Sequence, residues 1–224
     1  MKTLACSETA LAETAAVLKK GGVAVIPTDT VYGLAAHPDF PEAVERLYTI
    51  KGREAKKPIA LLAADVEAVE RFLGEAASSL SGDDSLGEAT PSSLQASRKA
   101  LPKIASDLAA RFWPGALTLV LPKGDTYEGL RVPDHEWTRR LLAECGGVLR
   151  VTSANLSGQR AATDAPAALA EVGLSADIVV DGGISPGGVA STVVKIGPDG
   201  TPQVLRQGPV SVLEGARFFD TMSP

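Results

Sequence analysis

The chain has few of the residues that mark several common protein classes. It carries two cysteines and two histidines in 224 residues, and aromatic residues make up 4%. Two thiols cannot build the disulfide framework of a small secreted domain, nor a zinc site of four thiolates. His37 and His135 stand at unrelated positions, so we expect no zinc site formed by protein ligands alone. Because aromatic residues are sparse, the core must be largely aliphatic.

Long apolar runs and an excess of positive charge are missing as well. No apolar run approaches the roughly 20 residues that a membrane-spanning helix needs. The N-terminal segment carries Glu8 and Glu13 and lacks a continuous apolar core, which is typical of an amphipathic helix and not of a signal or transit peptide. A formal net charge of -5 argues against broad attraction to nucleic acid or anionic lipid, although it leaves room for a local basic patch. We therefore expect a soluble cytoplasmic protein.

Two phosphate-binding signatures are also absent. The sequence contains neither the P-loop spacing that ends in Gly-Lys-Ser/Thr nor the dinucleotide pattern G-x-G-x-x-G. Neither cysteine has an activating context, so covalent catalysis is not expected. The residues left for chemistry are lysine, arginine, serine, threonine and asparagine. This set suits positioning and charge stabilisation in phosphoryl or nucleotidyl transfer.

Hydrophobic periodicity predicts a mixture of helices and strands. The expected helices cover residues 8–20, 41–50, 65–73, 102–112, 136–144 and 164–171. The expected strands cover residues 23–27, 58–63, 116–121, 129–133, 147–151, 177–181, 190–196 and 203–206. Residues 74–100 are small, polar and without period, so we expect a long loop or insertion there. Helices and strands alternate early and three strands follow one another late, which predicts an α/β fold with an open sheet of mixed strand directions.

Polar residues follow or interrupt the predicted strands in four stretches. These are 27-PTDTVYGLAA-36, 51-KGREAKKP-58, 151-VTSANLSGQ-159 and 181-DGGISPGGVASTVV-194. Open α/β sheets usually place their ligands at strand ends. For the first and third stretches, a plain turn with side-chain hydrogen bonds to the backbone fits the residue types about equally well. The glycines of the fourth stretch favour a flexible turn.

The second stretch concentrates positive charge in an acidic protein. Cations at a helix end gain from the helix dipole, which explains Lys51 or Arg53. It does not explain Lys56 and Lys57, which lie beyond the predicted helix. Like charges repel by about 1 kcal/mol per pair at 4 Å even in water, so a bound polyanion is the more economical interpretation.

Six of these motifs, taken in order, resemble the YrdC family. They are PTDTVYGL, KGR followed by KKP, FWPGALTLVL, RVPDH, SANLSG and STVV, and the resemblance runs from about residue 8 to 210 with a break at 74–100. It implies a single YrdC-like domain over residues 5–212, interrupted by the insertion. The implied fold is an α/β fold with an open, twisted, mixed sheet, flanked by helices and holding a large concave, positively charged cleft.

The resemblance implies a nucleotidyltransferase, L-threonylcarbamoyladenylate synthase. Such enzymes convert ATP, L-threonine and bicarbonate to threonylcarbamoyl-AMP and pyrophosphate. A tRNA-modifying threonylcarbamoyl transferase complex then carries the group to the adenosine beside the anticodon. Mg²⁺ is expected to accompany the substrate ATP, and the resemblance implies no metal site built from protein ligands.

The family's functional residues map onto matching positions of this chain. The motif K-x-R with S-x-N falls on the proposed catalytic and ATP-binding set Lys51, Arg53, Ser153 and Asn155. The resemblance adds Lys57 and Arg206 for ATP, and Thr30, Arg131 and Ser191 for L-threonine. Arg131 is expected to clamp the carboxylate of the amino acid with two hydrogen bonds.

The chain departs from the family pattern at three positions. Leu62 stands where many longer relatives have a histidine in the threonine pocket, Tyr127 replaces a threonine, and Ala161 replaces a serine of some relatives. The longer relatives add a C-terminal domain, and we expect this chain to resemble the short bacterial form.

Two alternative functions stay open from the sequence. The first is a non-catalytic module that binds double-stranded RNA or tRNA in the cleft, with a steep dependence on salt. The second is a paralogue that makes another carbamoyl adenylate from carbamoyl phosphate. The zinc-finger and acylphosphatase segments that accompany such paralogues are not found here.

Overall fold

A computed structural model describes residues 2–54, 57–74 and 99–212. Within these ranges the chain forms ten strands and six α-helices. The strands are β1 (Lys2–Ala5), β2 (Val23–Ile26), β3 (Gly33–Ala36), β4 (Leu61–Ala63), β5 (Leu117–Lys123), β6 (Thr126–Arg131), β7 (Val148–Ser153), β8 (Ile178–Asp181), β9 (Thr192–Ile196) and β10 (Pro202–Arg206). The α-helices are α1 (Glu8–Leu18), α2 (Pro41–Lys51), α3 (Val66–Gly74), α4 (Lys103–Phe112), α5 (Glu136–Glu144) and α6 (Ala165–Glu171), and Gly173–Ser175 forms a 3₁₀ turn.

All ten strands join one mixed sheet in the order β1-β8-β2-β3-β7-β4-β6-β5-β9-β10. The pairs β1/β8, β2/β8, β4/β6 and β5/β9 are parallel, and the other neighbours are antiparallel. The predicted α/β fold with mixed strand directions is therefore confirmed. Across the described part of the chain, no helix combines the length and the apolar character that crossing a bilayer requires.

Alternating side chains divide the sheet into two faces. On β2, Val23 and Val25 pack with α2 and α6, whereas Ala24 and Ile26 point the other way and pack with α1 and α5. On β5, the leucines at 117, 119 and 121 pack with α3 and α4. Thr118 and Val120 therefore belong to the opposite face, which is the face that carries the cavity described below.

Local sequence signals fix the helix ends that matter for this cavity. Ser7 caps α1, because its Oγ accepts a hydrogen bond of 3.1 Å from the amide of Ala10. Gly52 follows α2 with φ of 57°, a left-handed conformation that glycine adopts at low cost. It turns the chain sharply after Lys51, which is the last residue of α2 and not part of the following connection.

The structure adds two strands that the sequence did not predict. β1 pairs with β8 at one end of the sheet, and β3 lies between β2 and β7. β6 begins at Thr126 and ends at Arg131, earlier than the predicted 129–133. Most of the predicted insertion at 74–100 lies outside the described residues.

Candidate active site

A cavity of about 390 Å³ lies on the sheet face that α1 and α5 share. Side chains two residues apart line it, as the alternation of a strand requires: Tyr127, Gly129 and Arg131 on β6 are one such set. Small residues form part of its floor. A Cβ added at Gly129 would lie 3.2 Å from the Cβ of Ala60, so a larger side chain would fill space that the cavity uses.

The wall of the cavity is positively charged. Arg53, Arg131 and Arg206 line it, and among the described residues the lining includes no aspartate, glutamate, histidine or cysteine. Burial and the charge of Arg53 both lower the pKa of Arg206. The same two causes, burial first, lower the pKa of Lys51 to about 8. Positively charged side chains that lower one another's pKa in this way are stabilised by an anion bound between them.

Lys51 connects the two halves of the predicted K-x-R and S-x-N set. Its Nζ donates to the carbonyl oxygen of Asn155 at 2.5 Å and to that of Ser153. It also lies 3.5 Å from the Oγ of Ser153 and from the Oδ1 of Asn155. Lys51 is only 2% exposed and lies behind the cavity wall, whereas Ser153 is part of that wall. The lysine therefore supports the end of β7 in this structure.

Asn155 stabilises the loop that follows Ser153. Its Nδ2 donates to the carbonyl oxygens of Leu156 and Gln159, both at 2.8 Å. The amide of Ser157 donates to the carbonyl oxygen of Lys51 at 2.9 Å. These bonds hold the loop against the end of α2, and they place Asn155 outside the cavity wall.

Arg131 and Thr30 meet at one end of the cavity. The guanidinium of Arg131 donates to the Oγ1 of Thr30 at 2.8 Å, to the carbonyl oxygen of Gly115 at 2.8 Å, and to the carboxylate of Asp29. Thr28 and Thr30 place their hydroxyl oxygens 3.1 Å apart. This end therefore combines a cation, its counter-ion and two hydroxyl groups.

Ser191 and Arg206 meet on a neighbouring part of the wall. Arg206 donates to the carbonyl oxygen of Ser191 through Nε at 3.0 Å and through a terminal nitrogen at 2.9 Å. The Oγ atoms of Ser191 and Thr118 lie 2.8 Å apart, and both residues line the cavity. Thr118 was not predicted as a site residue.

The remaining members of the basic cluster differ from one another. Arg53 lines the cavity and is held by hydrogen bonds to the carbonyl oxygens of Lys57 at 3.0 Å and Pro58 at 3.1 Å. The Lys57 side chain is exposed, lies outside the wall and approaches Glu54 at 3.9 Å. Lys56 lies outside the described residues. Of the positions that depart from the family pattern, Leu62 and Tyr127 line the cavity and Ala161 does not.

A tyrosine that the sequence analysis did not select anchors the glycine-rich loop, residues 182–190. The hydroxyl of Tyr32 donates to the carbonyl oxygen of Gly183 at 2.7 Å and accepts from the amide of Gly182 at 3.0 Å. Burial raises the pKa of Tyr32 to about 12, so this hydroxyl stays a donor. Further along, the amide of Gly187 donates to the carbonyl oxygen of Asp29 at 2.9 Å. The loop is thus tied to the threonine-rich end of the cavity.

The same loop contains the spacing G-x-S-x-G at 183-GISPG-187. In nucleophilic serine enzymes this spacing joins a strand to a helix. Here it lies in the loop between β8 and β9, and the buried Oγ of Ser185 has no hydrogen-bond partner among the described residues. The geometry therefore does not indicate a serine nucleophile.

Comparison with known proteins places the chain in a family. The Sua5/YciO/YrdC family model, described as telomere recombination, matches residues 16–208. A Bacillus subtilis protein named threonylcarbamoyl-AMP synthase is 32% identical over 219 residues, covering 93% of this chain and 56% of the relative. A Mycobacterium leprae protein named putative threonylcarbamoyl-AMP synthase is 34% identical over 212 residues, covering 90% of this chain and 84% of the relative.

A solved structure agrees with these sequence matches. The crystal structure of P. abyssi Sua5 complexed with L-threonine superposes with a TM-score of 0.74 at 29% identity, covering 92% of this chain and 57% of that one. The chain thus spans little more than half the length of the Bacillus subtilis and P. abyssi proteins. The family model covers most of the sequence, and the chain therefore belongs to the Sua5/YciO/YrdC family.

Proposed function

We propose that this chain is an L-threonylcarbamoyladenylate synthase, which makes threonylcarbamoyl-AMP and pyrophosphate from ATP, L-threonine and bicarbonate. One observation carries the proposal: a single cavity holds both the arginines that suit a triphosphate and the Arg131–Thr30 pair that suits an amino acid. The names of the relatives and the threonine bound to the P. abyssi protein support the same activity.

The two substrates would occupy different parts of the cavity. The triphosphate would lie beside Arg53 and Arg206, whose side chains donate only to carbonyl and hydroxyl oxygens within the described residues. L-threonine would lie at the end formed by Thr30 and Arg131, and Ser191, whose carbonyl oxygen accepts from Arg206, would be a further contact for it. Arginine binds carboxylates and phosphates through two parallel hydrogen bonds, which suits both roles.

The reaction needs no nucleophile from the protein. The neutral amine of threonine and bicarbonate form a carbamate and water, and a carbamate oxygen then attacks the α-phosphorus of ATP. A new P–O bond forms, the bond to the β-phosphate oxygen breaks, and pyrophosphate leaves with the electron pair. Arg53 and Arg206 would stabilise the charge that grows on these oxygens, and loss of one such donor typically costs on the order of 10²–10³ in rate.

Ser153 would be the hydroxyl of the S-x-N motif that faces the reacting groups. It ends β7, lines the cavity, and is held from behind by Lys51. In this arrangement Lys51 acts as a positioning residue for Ser153 and Asn155. Its ammonium also adds long-range positive charge next to Arg53.

Mg²⁺ would enter as part of the substrate MgATP. The cavity wall offers hydroxyl and guanidinium groups but no carboxylate, and the described residues contain no cluster of three metal-binding side chains. Mg²⁺ prefers phosphate oxygens, water and only one or two carboxylates. The ion would therefore be held mainly through the phosphates of ATP.

Mass spectrometry of the products tests the proposal. The protein is mixed with MgATP, L-threonine and isotopically labelled bicarbonate, and we expect an adduct that carries the label between threonine and AMP. Arg53→Ala should lower its formation on the order of 10²-fold or more. Arg46→Ala is the matched control, because Arg46 is half-exposed and pairs with Asp177 away from the cavity. A product without threonine would instead support the paralogue that makes another carbamoyl adenylate.

The adenylate is chemically unstable in solution, so we propose that a threonylcarbamoyl transferase complex consumes it. That complex would transfer the group to the adenosine beside the anticodon of tRNA. Adding such a complex and unmodified tRNA to the reaction should move the label from the adenylate to tRNA. A protein that binds tRNA but forms no labelled adenylate would favour the RNA-binding function.

A further inference from the structure

Arg131 differs from the other two arginines of the cavity wall in having a carboxylate partner. Its guanidinium forms an ion pair with Asp29, and the two side chains are 7% and 10% exposed. Arg53 and Arg206 bond to carbonyl and hydroxyl oxygens, and no carboxylate pairs with either in the described ranges. One end of the cavity is therefore compensated in charge and the rest is not.

The hydrogen bonds of Arg131 hold its guanidinium beside Asp29 at this end of the cavity. A guanidinium has five N–H groups, and those of Arg131 also serve Thr30 and Gly115. The carboxylate of Asp29 lies at the same guanidinium, so the pair has a net charge near zero. A polyphosphate gains little from a neutral pair, because its attraction scales with net local charge. A zwitterionic amino acid has no net charge, so the same compensation weakens its binding far less, because Asp29 attracts its ammonium while it repels its carboxylate.

We propose that Asp29 determines which substrate enters each end of the cavity, by cancelling the charge of Arg131 and so excluding polyphosphate from the amino-acid subsite. This role rests on the proposed function, in which ATP and threonine share one cavity. Asp29 does not touch the reacting atoms, so it is a specificity-determining residue. Without it, Arg131 would become a third uncompensated arginine and would attract the triphosphate or the pyrophosphate product into the place of threonine.

Competition between two small ligands tests this without any turnover. Threonine is titrated calorimetrically into the wild-type protein with and without inorganic pyrophosphate, in the absence of ATP. We expect pyrophosphate at saturating concentration to leave threonine affinity within about twofold of its value alone. In Asp29→Asn, pyrophosphate should weaken threonine binding on the order of tenfold or more, because Arg131 can then bind either anion.

A second ion pair provides the matched control. Glu128 pairs with Arg150 at 2.6 Å with side chains 17% and 20% exposed, and neither residue lines the cavity. Glu128→Gln removes a comparable carboxylate from a comparable arginine. We expect it to leave the competition between pyrophosphate and threonine unchanged. Asp29→Glu keeps the negative charge and should behave more like the wild type than Asp29→Asn does.

The outcomes distinguish a failure of this role of Asp29 from a failure of the proposed function. If the wild-type protein fails to bind threonine at all, the proposed function is overturned and this role of Asp29 with it. If it binds threonine and pyrophosphate displaces it, only the role of Asp29 is overturned. The wild-type titration decides that point even if Asp29→Asn does not fold. Equal competition in a folded Asp29→Asn and in wild type would also overturn it.

Discussion

Binding of ATP should transfer protons to the protein near pH 8, because of the environment of Lys51. Burial, followed by the charge of Arg53, lowers the pKa of Lys51 from 10.5 to about 8. A triphosphate beside Arg53 places negative charge near this amine. Negative charge favours the ammonium, so the pKa must rise when ATP binds and a proton must be taken up.

The expected size follows from the degree of protonation. At pH 8 a group with a pKa of about 8 is half protonated, and a rise of one unit would make it roughly nine-tenths protonated. The uptake would be roughly 0.4 proton per ATP. At pH 7 the free group is already about nine-tenths protonated, so the uptake should fall below about 0.1. The described cavity wall contains no histidine or cysteine that would titrate in the same range.

Calorimetric titration of MgATP in buffers of different ionisation enthalpy measures this uptake directly. The slope of the observed heat against buffer enthalpy gives the number of protons, at pH 7 and at pH 8. Lys51→Gln keeps an N–H donor for the carbonyl oxygens of Ser153 and Asn155 but cannot titrate, so its uptake should vanish. No uptake by the wild type at pH 8, or an equal uptake by Lys51→Gln, would show that Lys51 does not gain a proton when ATP binds.

Three further predictions concern the surroundings of the cavity. A Cβ on Gly187 would lie 2.7 Å from the carbonyl oxygen of Asp29. Gly187→Ala should therefore raise the KM for threonine on the order of tenfold with little change in the KM for ATP. Equal changes in both KM values would contradict this. Tyr32→Phe removes the hydroxyl that anchors the glycine-rich loop. Urea unfolding should show that the free energy of unfolding falls by about 1–3 kcal/mol, and an unchanged midpoint would contradict this. Burial raises the pKa of Cys6 and Cys145 to about 11. Both thiols should therefore react with a disulfide reagent at pH 8 roughly 200-fold more slowly than free cysteine. A rate near that of free cysteine would contradict these raised pKa values.

Strands with strong β-branched patterns could be predicted from the sequence, and two others could not. β2 and β9 are rich in valine and were predicted close to their observed limits. β3 has the sequence GLAA, whose residues have low β-propensity on their own. It becomes a strand because it pairs along its length with both β2 and β7. β1 pairs with β8 alone, and its short, largely exposed sequence gives no alternation to detect.

The gathering of polar residues at strand ends could also be predicted. Thr30 follows β2, Ser153 ends β7 and Ser191 directly precedes β9, and the structure brings all three to one cavity. The partner of Arg131 was missed, although Asp29 stands in the same PTDT motif as Thr30. A usable signal existed, because an arginine expected to be buried in a pocket needs a counter-ion or several acceptors.

The direction in which each cation of the basic cluster points could not be read from charge alone. Crowding of Lys51, Arg53 and Lys57 predicted a polyanion, and only Arg53 of these three lines the cavity. Lys51 ends α2 and points inward, because it stands four residues after Leu47 and eight after Ala43 on the buried face of the helix. Arg53 and Lys57 lie in the connection after α2, where helical periodicity no longer indicates the direction of a side chain.

A crystal structure with L-threonine and a non-hydrolysable ATP analogue would show whether one cavity binds both substrates. We expect both ligands in the one cavity, with the carboxylate of threonine at Arg131 and Thr30 and the triphosphate beside Arg53 and Arg206. A triphosphate bound at Arg131, or either ligand bound outside this cavity, would contradict it.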